Sequence, residues 1–149
     1  KAGGVLAGKA NGADIVLTIE AKGIALAYEI SRRLSMQEFV VVRKSVKPYI
    51  KEYLKDSVRS ITTDGEQQIF LDGTDADKLR GKRVAIVDDV ISKGESLSAA
   101  ERLVAAAGGE VCAKLAILAE GKAAERSDIT YLEKLPLFQK GGGGYEILA

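Results

Sequence analysis

The 149-residue sequence has no histidine and a single cysteine, Cys112. Without an imidazole, no histidine-based nucleophilic triad and no His/Cys zinc site can be assembled. Chemistry is left to carboxylates, hydroxyls, amines or a metal carried in by a substrate. The lone thiol has no intramolecular disulfide partner and lies in an apolar run that reads as a buried strand, which points to a reducing compartment. An excess of one charge is also missing: 22 Lys+Arg against 21 Asp+Glu leave +1. No overall basic field recruits nucleic acid, so any anion site must be a local cluster. No apolar run approaches the roughly 20 residues of a membrane span, and the opening residues lack the pattern of a secretory signal. The expectation is a soluble cytoplasmic protein with neither nucleic-acid nor membrane partners.

What is present is the mix of one globular domain, 46% apolar and 29% charged, of a size that buries roughly 68–70% of its unfolded surface. Residues 14–19 form a β-branched apolar run suited to a buried parallel strand, and Gly23 opens helical spacing at Ile24, Leu26, Ala27, Ile30 and Leu34. Residues 38–44 read as a second strand, ended by charges and then Pro48. Residues 47–57 lack a clean period and read as a surface loop. Residues 57–63 and 67–71 are expected to pair across Asp64-Gly65 as a ribbon. Residues 83–87 and 110–119 read as strands, residues 128–132 as a shorter one, and 96–107 as a helix stopped by Gly108 and Gly109. The Gly-rich start through Gly12 reads as weakly helical at best, with little room for an N-terminal lobe, and residues 140–144 as a flexible linker. Strands alternating with helices predict an α/β fold with a parallel central sheet flanked by helices and a small β-ribbon. All 149 residues then form one domain, with its core at about 14–138.

The chemistry concentrates in residues 84–97. Four apolar residues deliver Asp88 and Asp89 to a strand end, and a glycine-bearing loop leads into a helix. The first-turn amides and the helix dipole make an anion cradle, Gly94 permits close approach, and Ser92 and Ser96 add hydroxyls. The two carboxylates accept hydrogen bonds from sugar hydroxyls or from the waters of a magnesium ion. A phosphorylated sugar satisfies both features, although the spacing alone also fits a plain strand-to-helix turn with Ser96 as N-cap.

This stretch resembles the phosphoribosyl-pyrophosphate (PRPP) signature of type I phosphoribosyltransferases. The resemblance assigns ribose-hydroxyl contacts to Asp88 and Asp89, and 5′-phosphate contacts to Ser92, Lys93, Gly94, Glu95 and Ser96. Lys93 stands where the family usually has threonine. Glu20-Ala21-Lys22-Gly23 is similar to the Glu-Ala-Arg-Gly loop of adenine-type members, which implies pyrophosphate contacts for Ala21, Lys22 and Gly23. Arg43, Lys44 and Lys47 match the family's Arg-Lys-x-x-Lys, with the same ligand implied. The ribbon corresponds to a mobile hood, in which Glu66 is the nearest candidate for a general acid or base. Glu120 matches an acidic residue of the purine pocket. Gly121 stands where xanthine-type enzymes have lysine, with Lys122 beside it.

The resemblance implies transfer of a phosphoribosyl group from PRPP to a purine, adenine favoured over xanthine, hypoxanthine or guanine, in nucleotide salvage. Mg2+ enters with PRPP, assisted by Asp88 and Asp89, and the partners are small-molecule substrates and a second copy in a homodimer. The rival reading is a PRPP-binding regulator without transferase activity. Regulators of that kind carry a DNA-binding module, and neither end of the sequence shows one. A Rossmann dinucleotide site is disfavoured because the turn at residues 20–23 lacks G-x-G-x-x-G.

Overall fold

The computed structural model describes residues 1–59, Arg59 by its backbone alone, and residues 66–148. The chain runs α1 (Ala2–Ala7), β1 (Ile15–Ile19), α2 (Ile24–Arg33), β2 (Val40–Val42), β3 (Tyr53–Arg59), β4 (Glu66–Asp72) and α3 (Gly73–Leu79). It continues through β5 (Arg83–Ile91), α4 (Glu95–Ala106), β6 (Glu110–Glu120), a 3-10 turn (Gly121–Glu125), β7 (Thr130–Leu135), β8 (Leu137–Gly141) and β9 (Gly144–Leu148). Five strands form the central sheet in the order β2-β1-β5-β6-β7, each neighbouring pair parallel. The predicted α/β architecture is the observed one.

A parallel sheet must be covered on both faces, and strand alternation sorts its side chains accordingly. Ile15, Leu17 and Ile19 of β1, with Val84 and Ile86 of β5, pack in one layer with Leu79 of α3 and Leu97 and Val104 of α4. Val16, Ala85 and Val87 pack in the other layer with Leu6 of α1 and Ala27 and Ile30 of α2. The chain therefore leaves β1 toward one face and β5 toward the other. Their following loops part at the carboxyl end of the sheet, which is where open α/β sheets bind ligands.

Several expectations are corrected. The Gly-rich start forms α1, because fully buried Leu6 gains more from packing on α2 than the glycines of that helix lose. The loop expected over 47–57 becomes strand at Tyr53, where Ile69 and Leu71 of β4 offer a partner edge and a buried face. The Asp64-Gly65 turn lies outside the described residues. The described register places Arg59 opposite Glu66, whereas a two-residue turn there would place Thr63 opposite it. β2 is only three residues long, and β7 spans Thr130–Leu135 rather than 128–132. The 140–144 linker belongs to an antiparallel hairpin, with Gly141 paired to Gly144. Gly144 at φ 144° takes a backbone conformation that glycine alone adopts readily.

Candidate active site

β5 does not stop before its acidic pair, as expected, but continues through Asp88 and Asp89 to Ile91, paired with β6. Its paired register with β1 ends at Thr18 opposite Val87, so both carboxylate residues lie beyond the last paired residue of that ladder. Asp88 Oδ1 accepts the Asp89 N–H at 2.8 Å. Burial, reinforced by the neighbouring Asp89 carboxylate and partly offset by Lys44, pushes the Asp88 carboxyl up to about 7.

The turn after β1 lies directly against Asp88. A methyl group at Gly23 would overlap the Thr18 hydroxyl and come 3.3 Å from Asp88 Oδ1. Only glycine permits this approach. The Glu20–Ala21 peptide within the turn is cis. Beyond β5, Gly94 takes the left-handed conformation at φ 79° and caps α4, which starts at Glu95 rather than Ser96. Among the described residues no side-chain cap bonds to this helix start, which leaves its first-turn amides as donors for a ligand.

Two clefts meet at Asp88. One, of about 430 Å³, is lined by Asp88, Ser92, Lys93, Gly94, Glu95 and Ser96. The other, of about 380 Å³, is lined by Glu20, Ala21, Lys22, Lys44, Asp88 and Asp89. The structure thus brings the acidic pair, the anion loop and two of the predicted cations around one hollow, while Gly23 forms part of the wall between Thr18 and Asp88.

Other predicted residues stand further out. Arg43 exchanges backbone hydrogen bonds with Phe70, 2.8 and 2.7 Å, tying the end of β2 to the ribbon. Lys47 is exposed in a turn closed by Ile50. Glu120 ends β6 half-buried and Lys122 is exposed on the 3-10 turn, neither lining the two clefts. Glu66 begins β4 on the face opposite Gln67, because alternate residues of a strand point to opposite sides. Gln67, in step with buried Ile69 and Leu71, lines both clefts.

Glu20 is a residue that the sequence reading passed over. Its carboxylate accepts the Lys44 N–H and lies 3.7 Å from Arg43 Nη1, joining the turn after β1 to the basic end of β2. Gln67 was legible from its period-2 spacing with Ile69 and Leu71. The ribbon's attachment was not: Arg102 of α4 donates from Nε and Nη2 to Asp56 at 2.7 and 3.1 Å, and from Nη2 to the Ser57 carbonyl at 3.3 Å. Forty-six residues separate the pair, and no local pattern announces it.

Among the described residues no group of three or more metal-ligating side chains gathers. Two adjacent carboxylates suit a magnesium ion that keeps phosphate and water oxygens as its remaining ligands, rather than an all-protein cage. Also among the described residues, no helix is long and apolar enough to cross a membrane.

An open parallel sheet, with paired carboxylates at its switch point and the amino end of a helix behind them, defines an α/β protein whose crevice opens at its strand ends. The chain belongs to the phosphoribosyl transferase domain family, which it matches over residues 2–148. It is 33% identical over 132 residues to the adenine phosphoribosyltransferase of Mycobacterium avium (strain 104), covering 87% of this chain and 69% of that protein. Similarity to the HGPRTase-like protein 3 of Haloterrigena turkmenica reaches 34% over 102 residues, 67% of this chain and 50% of that one. The crystal structure of adenine phosphoribosyltransferase from Thermoanaerobacter pseudethanolicus superposes with a TM-score of 0.75 at 27% identity, covering 90% of this chain and 78% of that one.

Proposed function

We propose that the protein transfers the 5-phosphoribosyl group of PRPP to a ring nitrogen of a purine base, adenine in preference, releasing pyrophosphate in cytoplasmic nucleotide salvage. The observation that carries this reading is Asp88 at the junction of two clefts, one ending in the anion loop and the other in Lys22 and Lys44. A ribose held at Asp88 and Asp89 has its 5′-phosphate within reach of the amides around Gly94. Its C1 substituent then lies toward the cations.

The bond from C1 to the pyrophosphate oxygen breaks as a bond from the purine nitrogen forms, through a transition state with oxocarbenium character, and the purine's ring N–H proton passes to the released pyrophosphate or to water. Such a displacement asks for orientation and charge more than for a nucleophilic side chain, which suits a histidine-free site. Lys22 and Lys44 offset the charge of the departing pyrophosphate, and Glu20 holds the Lys44 backbone in place. Asp88 and Asp89 would help to hold Mg2+ brought in with the substrate, which would supply further neutralisation of that leaving group. The ribbon, docked on α4 through Arg102, covers the side of the hollow from which water would reach the sugar. Glu66 would reach a purine only from beyond the ribbon edge; Gln67 is the better-placed ribbon side chain to touch substrate. We place the base near Glu120 and Lys122, and Lys47 with Arg43 at the mouth of the pyrophosphate cleft.

The test is pyrophosphate release from PRPP and Mg2+ with adenine, xanthine, hypoxanthine or guanine offered singly. Release with adenine is expected. Preference for hypoxanthine or guanine would favour the second reading, supported by similarity to the HGPRTase-like protein. Binding of PRPP without release with any base would leave a regulatory protein instead. Asp89→Asn is expected to weaken PRPP binding, and unchanged calorimetric affinity would remove that residue from the sugar site. The working unit is proposed to be a homodimer: Phe138, Tyr145 and Ile147 stand 55%, 77% and 65% exposed on the β8–β9 hairpin, apolar surface that a second copy would cover.

A further inference from the structure

Arg126 leaves the 3-10 turn and reaches across the amino end of α4 to the anion loop. A methyl group at Gly94 would lie 2.6 Å from Arg126 Nη1, so the guanidinium rests on the loop's glycine. The positive φ of Gly94 favours glycine, and any side chain there would displace the guanidinium.

The guanidinium is held in place. Its Nε and Nη2 donate to Asp128 Oδ1 and Oδ2 at 2.9 and 2.6 Å. Asp128 also accepts from Lys114 Nζ at 2.8 Å, and Lys114 pairs in turn with Glu101 of α4. Two of the three guanidinium nitrogens are thereby committed, and Nη1 makes no hydrogen bond among the described residues. The Arg126 side chain is 32% exposed. Within the loop the cation Lys93 and the anion Glu95 offset each other, which leaves a phosphate dianion short of positive charge there. A guanidinium fork fixed by a carboxylate is the kind of donor that binds a phosphoryl oxygen at little further entropic cost.

We propose that Arg126 is a phosphate-binding residue of the subsite at residues 92–96, donating from Nη1 to the phosphoryl group that the loop amides hold, with Asp128 and Lys114 fixing its direction. This rests on the reading of that cleft as the ribose-phosphate site. It adds a guanidinium, supplied from beyond β6, to a loop whose other donors are its own amides and hydroxyls and the Lys93 ammonium.

The test uses the full chain and two probes titrated separately by calorimetry, ribose 5-phosphate for the anion loop and pyrophosphate for the cation cleft. Loss of one charge-assisted hydrogen bond in Arg126→Met is expected to weaken ribose 5-phosphate about tenfold or more while moving pyrophosphate by less than about twofold. Arg126→Lys, which keeps the charge, is expected to retain most of the affinity. Equal losses in the Met and Lys variants would mean that Arg126 only shapes the loop, and unchanged affinity in Arg126→Met would also overturn the proposal. Should Arg126→Met fail to fold, Asp128→Asn frees the fork and leaves the cation. It is expected to weaken ribose 5-phosphate severalfold, and no change would again overturn the proposal. Wild-type protein that binds pyrophosphate but not ribose 5-phosphate would sink the ribose-phosphate reading itself, and this inference with it.

Discussion

Asp88 carries the pH behaviour of the candidate site. Folding raises its carboxyl from an ordinary 3.8 to about 7, so the folded chain holds that proton more tightly than the unfolded one. The contribution of Asp88 to stability is therefore fully present below pH 3.8 and is lost as pH rises through about 7. Asp88→Asn is expected to flatten the fall in melting temperature over that interval. Binding of PRPP with Mg2+ favours the ionised carboxylate and is expected to expel a proton near neutral pH. Calorimetry in buffers of different ionisation enthalpy reads this directly, and a buffer-independent enthalpy would contradict it. Gly23→Ala tests the same corner sterically. The added methyl meets the Thr18 hydroxyl and the Asp88 carboxylate, so a stability loss of about 1–3 kcal/mol is expected, with weaker pyrophosphate binding as the turn is pushed off Asp88.

Among the elements, the ribbon is the one whose placement governs access. It is tied at one end by the Arg43–Phe70 backbone bridge and at its flank by the Arg102–Asp56 pair. The hydrogen bonds from Arg102 hold the Asp56 carboxyl below its ordinary value, so this tie weakens as the medium turns acidic. The Arg102 side chain is 55% exposed, and solvent screens the pair. Arg102→Met is accordingly expected to lower the melting temperature by no more than about 4 °C. It should raise the KM for PRPP severalfold, because the ribbon loses its hold over the hollow. A KM unchanged from wild type would show that the ribbon stays seated without the tie. Much of this architecture could be read in advance: the apolar runs of β1, β5 and β6 and the acidic pair before a Gly-bearing loop are local signals. The attachment of the ribbon could not, because Asp56 and Arg102 meet only after α4 has crossed the sheet. Glu66 was named for its carboxylate, but Gln67 is the residue in step with Ile69 and Leu71, and one residue along a strand moves a side chain to the opposite face.

For the whole molecule, the β8–β9 hairpin poses the question of assembly. Phe138 pairs with Ile147 and Lys140 with Tyr145, placing three exposed apolar side chains on one face. A two-stranded hairpin is marginally stable alone in water. Sedimentation is expected to show a dimer, and Ile147→Glu to dissociate it; a wild-type monomer would refute that assembly.

Helix and strand periodicity, the alternation that sorts β1 and β5 between two layers, and the chemistry of Asp88, Asp89 and Gly94 follow from short-range order along the chain, because each depends on neighbours within a few residues. Which side chains meet across the hollow was settled by packing. The hold of Glu20 on Lys44, the Asp56–Arg102 tie and the contact of Arg126 with Gly94 join residues from different elements. Such contacts exist only once burial of two apolar layers has fixed the distances between those elements, and no period in the sequence encodes them.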